Sequence, residues 1–163
     1  MIVIANTTPF ISLAAIGKLD LLEKIYQSII IPEAVFDEIQ VGGNITVPNL
    51  SSFNWINIAP NISDAEHRML YQLDFAEKQV ILHAMKMNAH LVIIDERLAR
   101  NIAEYIGFKV KGSLGILAEA KKKNLIPHFY PCAIEMKQKG IRFSEKLINE
   151  IARTLGEKEF QDK

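Results

Sequence analysis

The sequence predicts an α/β fold in which a parallel sheet is covered by helices on both faces. Three observations predict it. Ile2–Ala5 and Leu91–Ile94 are short, wholly apolar runs of the kind found in strands buried on both faces, and Ser28–Ile31 is similar and rich in isoleucine. Between such runs lie segments with apolar residues at helical spacing, for example Ala76, Val80, Ile81, Ala84 and Met87. The two kinds of segment alternate through residue 125, the order that builds a parallel sheet.

The first strand ends before Asn6 and Thr7. Thr8 is placed to cap a helix with Pro9 at its first position, and that helix runs past Leu13 toward Gly17. Leu19–Ile25 reads as a second short helix and Ser28–Ile31 as the second strand. Pro32 opens the next helix, with Glu33 in its first turn, where the helix dipole favours negative charge; Gly42 and Gly43 end it. Residues 41–54 read as a loop, and Trp55–Ile58 as a short edge strand. Ser63 with Glu66, and Asp74 with Glu77, fit capping boxes. Asp95 ends the Leu91–Ile94 strand. A helix follows, with Leu98, Ile102 and Ile106 inward and Gly107 as its stop. Phe108–Lys111 reads as a last strand, and Ser113 as the cap of a helix over Leu114–Lys123. Two further amphipathic helices are expected beyond residue 127, the second opening after Ser144. The expected organisation is one domain over 1–163, with a core over about 1–125 and a helical C-terminal extension over about 127–158.

The chain has 163 residues, enough for one good core, and 49% of them are apolar, which excludes disorder as the main state. Lysine plus arginine and aspartate plus glutamate number 19 each, so the whole molecule has no net pull toward nucleic acid or an anionic membrane. The one cysteine, Cys132, has no internal partner and reads as a small buried hydrophobe. Met1–Asn6 lacks the features of a signal peptide, and no apolar run reaches the roughly 20 residues that span a bilayer. The expected location is cytoplasmic, away from membranes. The four histidines, His67, His83, His90 and His128, show no paired metal spacing and read as structural.

In an open parallel sheet, ligands bind at the carboxyl ends of the strands, near the point where strand order reverses. Asn6, Thr7, Asp95 and Glu96 are delivered there by strands, and Glu38 and Glu77 can reach from helices. Each has a plainer reading. Asp95 can be a helix cap, Glu77 the third member of a capping box, Glu38 a solvated surface acid, Glu96 a first-turn acid and Asn6 a brace for the turn. Together they make an acidic edge. Two like charges about 4 Å apart repel by roughly 4 kcal/mol at an effective dielectric of about 20. Hard divalent cations with oxygen ligands are the usual answer, and they activate water for attack on a phosphodiester. Positive charge for a phosphate backbone must be local. Arg97 and Arg100 follow Asp95, and Lys109 and Lys111 flank the last strand; Lys121–Lys123 reads as a solvated helix end.

Five segments in order, Ile2–Ile11, Ile31–Glu38, Phe75–Ile81, Leu91–Arg100 and Lys111–Leu117, resemble the blocks of the PIN-domain family, over about residues 1–150. The resemblance is strongest to a prokaryotic branch of PIN-like domains of unknown function. It implies a three-layer α/β/α fold with a central parallel sheet. It implies a Mg²⁺- or Mn²⁺-dependent endoribonuclease acting on RNA, often the toxin of a toxin–antitoxin pair that is held by an antitoxin protein and forms a homodimer. It sets Asn6, Glu38, Glu77 and Asp95 at the acidic site, with Glu96 where a further acid often lies and Ser113 near a polar site position. Thr7, Arg97 and Arg100 join Ser113 as expected substrate contacts. Glycine is common in the family where Ala76 stands. The larger departure is Asn6, where the family has a metal-binding aspartate. Asparagine keeps one carbonyl oxygen but loses a full charge, and its amide nitrogen does not ligate a hard cation. The expectation is an enzyme with weakened metal binding and catalysis, and the alternative is an inactive PIN-fold module that binds RNA or a protein. The apolar residues Phe129, Ile134, Ile141 and Phe143 either serve such contacts or complete the core. A receiver domain would need paired acids after the first strand, and a dinucleotide-binding protein a Gly-x-Gly-x-x-Gly turn; neither is present, nor is a P-loop.

Overall fold

A computed structural model of the chain describes residues 1–63 and 67–157. Among them are five strands and eight α-helices, in the order β1 (Val3–Ala5), α1 (Thr7–Ala15), α2 (Asp20–Tyr26), β2 (Ile29–Pro32), α3 (Glu33–Val41), β3 (Ile56–Ala59), α4 (Phe75–Met87), β4 (Leu91–Ile93), α5 (Arg97–Ile106), β5 (Val110–Lys111), α6 (Ser113–Lys122), α7 (Phe129–Gln138) and α8 (Glu145–Thr154). The strands form one parallel sheet in the order β3-β2-β1-β4-β5. Helices cover both faces, giving the three layers expected.

The chain starts at the centre of the sheet, builds outward through β2 and β3, then crosses back by α4 to add β4 on the other side of β1. The order therefore reverses between β1 and β4, which pair with Val3 opposite Leu91 and Ala5 opposite Ile93. Asn6 N–H extends this ladder to the Ile93 carbonyl at 2.9 Å. The two strands end level, so the residues that leave them emerge at one edge.

Both central strands are buried throughout, as their unbroken apolar runs require. The core gathers Ile4, Ile29, Ile31, Ile93 and Ile94 from the sheet or its edge, with Phe10, Leu13, Ile81, Ile116 and Phe129 from the helices. Phe129 is fully buried, and Ile134, Ile141 and Phe143 pack on the core from partly buried positions, so the C-terminal helices complete this chain's own interior. The Glu157 carboxylate fastens them by accepting from the Phe129 and Tyr130 backbone N–H groups at 2.7 and 2.9 Å. Ser144 caps α8 as expected. Cys132 is buried and its thiol is pushed up by that burial. Among the described residues, no helix is long and apolar enough to cross a membrane.

Several boundaries differ from those read in the sequence. Helix α1 begins at Thr7, with Asn6 rather than Thr8 at its N-cap. Pro9 therefore stands third in the helix, and it is tolerated because N–H groups of the first turn have no intrahelical acceptor. Gly112, not Ser113, is the N-cap of α6. Glu96, not Asp95, is the N-cap of α5, so Glu96 precedes the first turn rather than lying in it. The edge strand is shifted by one residue and the last strand is shorter than expected. The Asp74–Glu77 capping box is present. The one expected at Ser63–Glu66 falls outside the described residues, as does the last residue of the expected C-terminal extension.

Candidate functional site

At the level ends of β1 and β4, the backbone itself orients the first polar groups. Asn6 is extended (φ −88°, ψ −178°), and its side chain makes no capping bond to α1. Its Oδ1 is buried without a hydrogen-bond partner, and the buried Thr7 Oγ1 is also unpartnered. Orphaned buried oxygens of this kind are uncommon, since leaving one unpaired costs about 1–3 kcal/mol.

Glu38 reaches this edge from α3 and Glu77 from the first turn of α4. Glu77 is held by its capping box: the Asp74 N–H donates to Glu77 Oε2 at 3.0 Å, and the Glu77 N–H donates to Asp74 Oδ1 at 2.8 Å. Burial pushes the Glu38 carboxyl above its ordinary value. Thr7 opposes this, and the Asp74 and Glu96 charges add to it. The Thr7 hydroxyl approaches Glu38 without normal hydrogen-bond geometry, so the contact is a near approach rather than a bond. Glu77 is raised by burial first, opposed by its bond from Asp74, and raised further by Asp74, Glu96 and Glu38. The Asp74 and Glu96 charges thus act on both Glu38 and Glu77. Among the described residues, the groups acting on Glu38 and Glu77 are carboxylates, a hydroxyl and a backbone N–H.

Asp95 is turned toward different partners. Ser113 N–H donates to Asp95 Oδ1 at 2.8 Å and Ser113 Oγ–H donates to Oδ2 at 2.6 Å. Burial raises the Asp95 carboxyl, while these two bonds and the Arg100 guanidinium lower it. Gly112 makes the arrangement possible: a Cβ there would stand 2.7 Å from Asp95 Oδ1 and 3.1 Å from Arg100 Nη1. This glycine is needed for space, since its φ of −100° is open to any residue.

The structure therefore gathers Glu38, Glu77 and Glu96 with Thr7, and joins Asp95 separately to Ser113 and Arg100. Arg100 faces a carboxylate instead of standing free for phosphate. Arg97 is exposed at the start of α5 and makes no ion pair among the described residues. Lys111 is withdrawn from the expected phosphate contacts by an ion pair with Glu119, whose carboxylate also accepts from the Tyr26 hydroxyl at 3.2 Å. Asp74 was missed because Asp-x-x-Glu is fully explained by a cap. Gln79 was missed as well, while His83 has the structural role read for it. Gln79 holds Ile62 by two 2.8 Å bonds, and the buried His83 ring lies between the Gln79 and Pro60 carbonyls at 2.7 and 3.0 Å. Both fasten the segment before α4. His90 Nδ1 accepts from Ile2 N–H at 2.9 Å, again a structural role.

A family model described as a PIN domain matches residues 2–157. The chain belongs to the PIN-domain family. A PIN domain is a nuclease-type fold and is generally dependent on divalent metal. No curated protein and no solved structure gives a match. The donors at this PIN domain's edge are all oxygens, the chemistry of a hard cation. Among the described residues no three His, Cys, Asp or Glu side chains close around a single point. The arrangement suits an open site of the Mg²⁺ kind, in which one or two carboxylates act together with waters and substrate phosphate, rather than a cage built by protein alone.

Proposed function

We propose that this chain is a Mg²⁺- or Mn²⁺-dependent endoribonuclease whose cation is held by one or two of the carboxylates Glu38, Glu77 and Glu96 together with waters and substrate phosphate, beside the carbonyl oxygen of Asn6. The observation that carries this reading is the acid cluster itself. Burial first, and then the nearby Asp74 and Glu96 charges, raise the proton affinity of Glu38 and Glu77, at the switch point of a PIN domain. A bound divalent cation would supply the missing positive charge, activate a water and offset charge on the attacked phosphodiester. Asp95, held at both oxygens by Ser113, is proposed to fix the geometry of the edge and to keep lone pairs available to a cation-bound water. Thr7 and Arg97 are proposed to contact the RNA backbone, with Ser113 and Arg100 acting on it through Asp95. A role as the toxin of a toxin–antitoxin pair, an antitoxin partner, a homodimer and a cytoplasmic location belong to the same proposal, resting on family likeness alone.

Asn6 favours a second reading, an inactive PIN fold that binds RNA or a protein, because it removes a charge from the centre of the site. Mn²⁺-dependent cleavage of a mixed RNA pool separates the two. The expected result is weak cleavage by the chain as it stands, at least tenfold faster cleavage by Asn6→Asp, and none by Asn6→Asp combined with Glu77→Gln. If all three proteins fold and none cuts RNA, the enzyme reading is wrong and the binding module takes its place.

A further inference from the structure

Beside the acid cluster lies an open cleft of about 360 Å³, lined by Ala34, Asp37, Glu38, Asp74, Phe75 and Ala76. Phe75 is the unusual member. It is 58% exposed, at the first position of α4 and two residues before Glu77. The helix gains little from it there, because aromatic residues are poor helix formers and the first turn favours acids. The ring belongs neither to the core nor to the aromatic pair of Phe53 and Trp55. Across the cleft, Asp37 is exposed and makes no hydrogen bond or ion pair among the described residues.

The chemistry of the walls selects the guest. Three carboxylates repel phosphate, so the part of a nucleic acid that enters must be uncharged. It must also offer a flat face to the ring and N–H donors to oxygens that only accept. An unpaired nucleobase has both properties. Guanine matches best, because N1–H and N2–H lie side by side for the two oxygens of one carboxylate. Uracil offers a single N–H between two carbonyls that a carboxylate repels.

We propose that Phe75 and Asp37 form a nucleobase subsite next to the acid cluster, in which the ring stacks on an unpaired base and the carboxylate accepts from its N–H edge, favouring guanine over uracil. The inference rests on the ribonuclease reading and adds what that reading lacks, a source of RNA affinity in a chain with no net charge and an acidic site. Base stacking on an aromatic ring supplies such affinity without phosphate contacts.

Fluorescence anisotropy of two labelled single-stranded oligoribonucleotides tests it, one rich in guanine and one of uridine alone, with Ca²⁺ in place of Mg²⁺. The full chain is expected to bind the guanine-rich strand about tenfold more tightly. Phe75→Ala should weaken both strands by roughly tenfold, and Phe75→Trp should restore them, its added indole fluorescence quenched as the base stacks. Asp37→Asn should abolish the preference with little effect on the uridine strand. Unchanged binding by Phe75→Ala, with an unchanged thermal melt, would overturn the subsite and leave the ring to a protein partner. Binding of neither strand by the unaltered chain would also overturn it, while the cleavage assay above judges the ribonuclease reading separately.

Discussion

At the carboxyl edge of the sheet, Asp95 receives two hydrogen bonds from Ser113 and faces Arg100, whereas Glu38 and Glu77 face Thr7, Asp74, Glu96 and each other. The two neighbourhoods begin from the same residue chemistry and the same side of one sheet. Asp95 is a carboxylate whose needs the protein has met, and Gly112 has been kept bare to allow it. Glu38 and Glu77 are left with mutual repulsion that the Thr7 hydroxyl and the Asp74 N–H only partly oppose. Asp95 is hydrogen-bonded at both carboxylate oxygens, whereas Glu38 is exposed and Glu77 is half-buried with one backbone N–H on its carboxylate. Both lie at one edge of this chain's sheet.

The largest effects are expected where the satisfied neighbourhood is broken. Gly112→Ala forces a Cβ against Asp95 Oδ1, and the resulting shift should destabilise the fold by about 1–3 kcal/mol in urea denaturation. Ser113→Ala removes a bond to a charged acceptor and should cost about 1.5–3 kcal/mol. If either variant is as stable as the parent, Asp95 is not the fixed element described here.

Metal linkage sharpens the other side of the comparison. Adding Mg²⁺ or Mn²⁺ to the EDTA-treated chain should raise Tm, and Glu38→Gln or Glu77→Gln should reduce the shift. Glu77→Gln keeps an oxygen for the Asp74 N–H, so the cap survives and the change reports on charge. Without metal, Glu38→Gln should leave stability equal or higher, by less than about 1 kcal/mol because the group is solvent-screened. A marked loss of stability would mean that Glu38 has a structural partner.

The smallest effect is on pH dependence. Folding raises the proton affinity of Glu38, Glu77 and Asp95. Just above the ordinary carboxyl range the folded chain therefore holds more protons than the unfolded one, so these groups lower stability as pH rises through that window. The metal-free chain should show a small decline in Tm from about pH 5 to pH 7, reduced in Glu38→Gln. A rise attributable to these groups would reverse the assigned sign.

Much of the fold was legible because its signals are local. The apolar runs at Ile2–Ala5 and Leu91–Ile94 mark buried strands, found at Val3–Ala5 and Leu91–Ile93, and Asp74 with Glu77 could form a capping box from neighbours alone. Errors arose where a local signal met a distant partner. Ser113 has the chemistry of a helix cap, but its hydroxyl goes to Asp95, 18 residues away in the chain. Lys111 looked free, but Glu119, eight residues further on in α6, pairs with it. Thr8 and Pro9 suggested a later helix start than the one imposed when Asn6 is tied to Ile93.

The site divides in the same way. Residue order by itself determined the parallel α/β plan, the family likeness and the positions of Asn6 and Asp95 at strand ends, Glu77 in a first turn and Glu38 within a helix, because periodicity and capping act over a few residues. Only the tertiary structure decided which acids share a neighbourhood, which one is satisfied, and that Asp74 and the exposed ring of Phe75 stand beside Glu38. Those outcomes depend on how α3, α4, α5 and α6 approach one another around the sheet edge, and electrostatic and hydrogen-bond partners chosen across such distances leave no pattern along the chain.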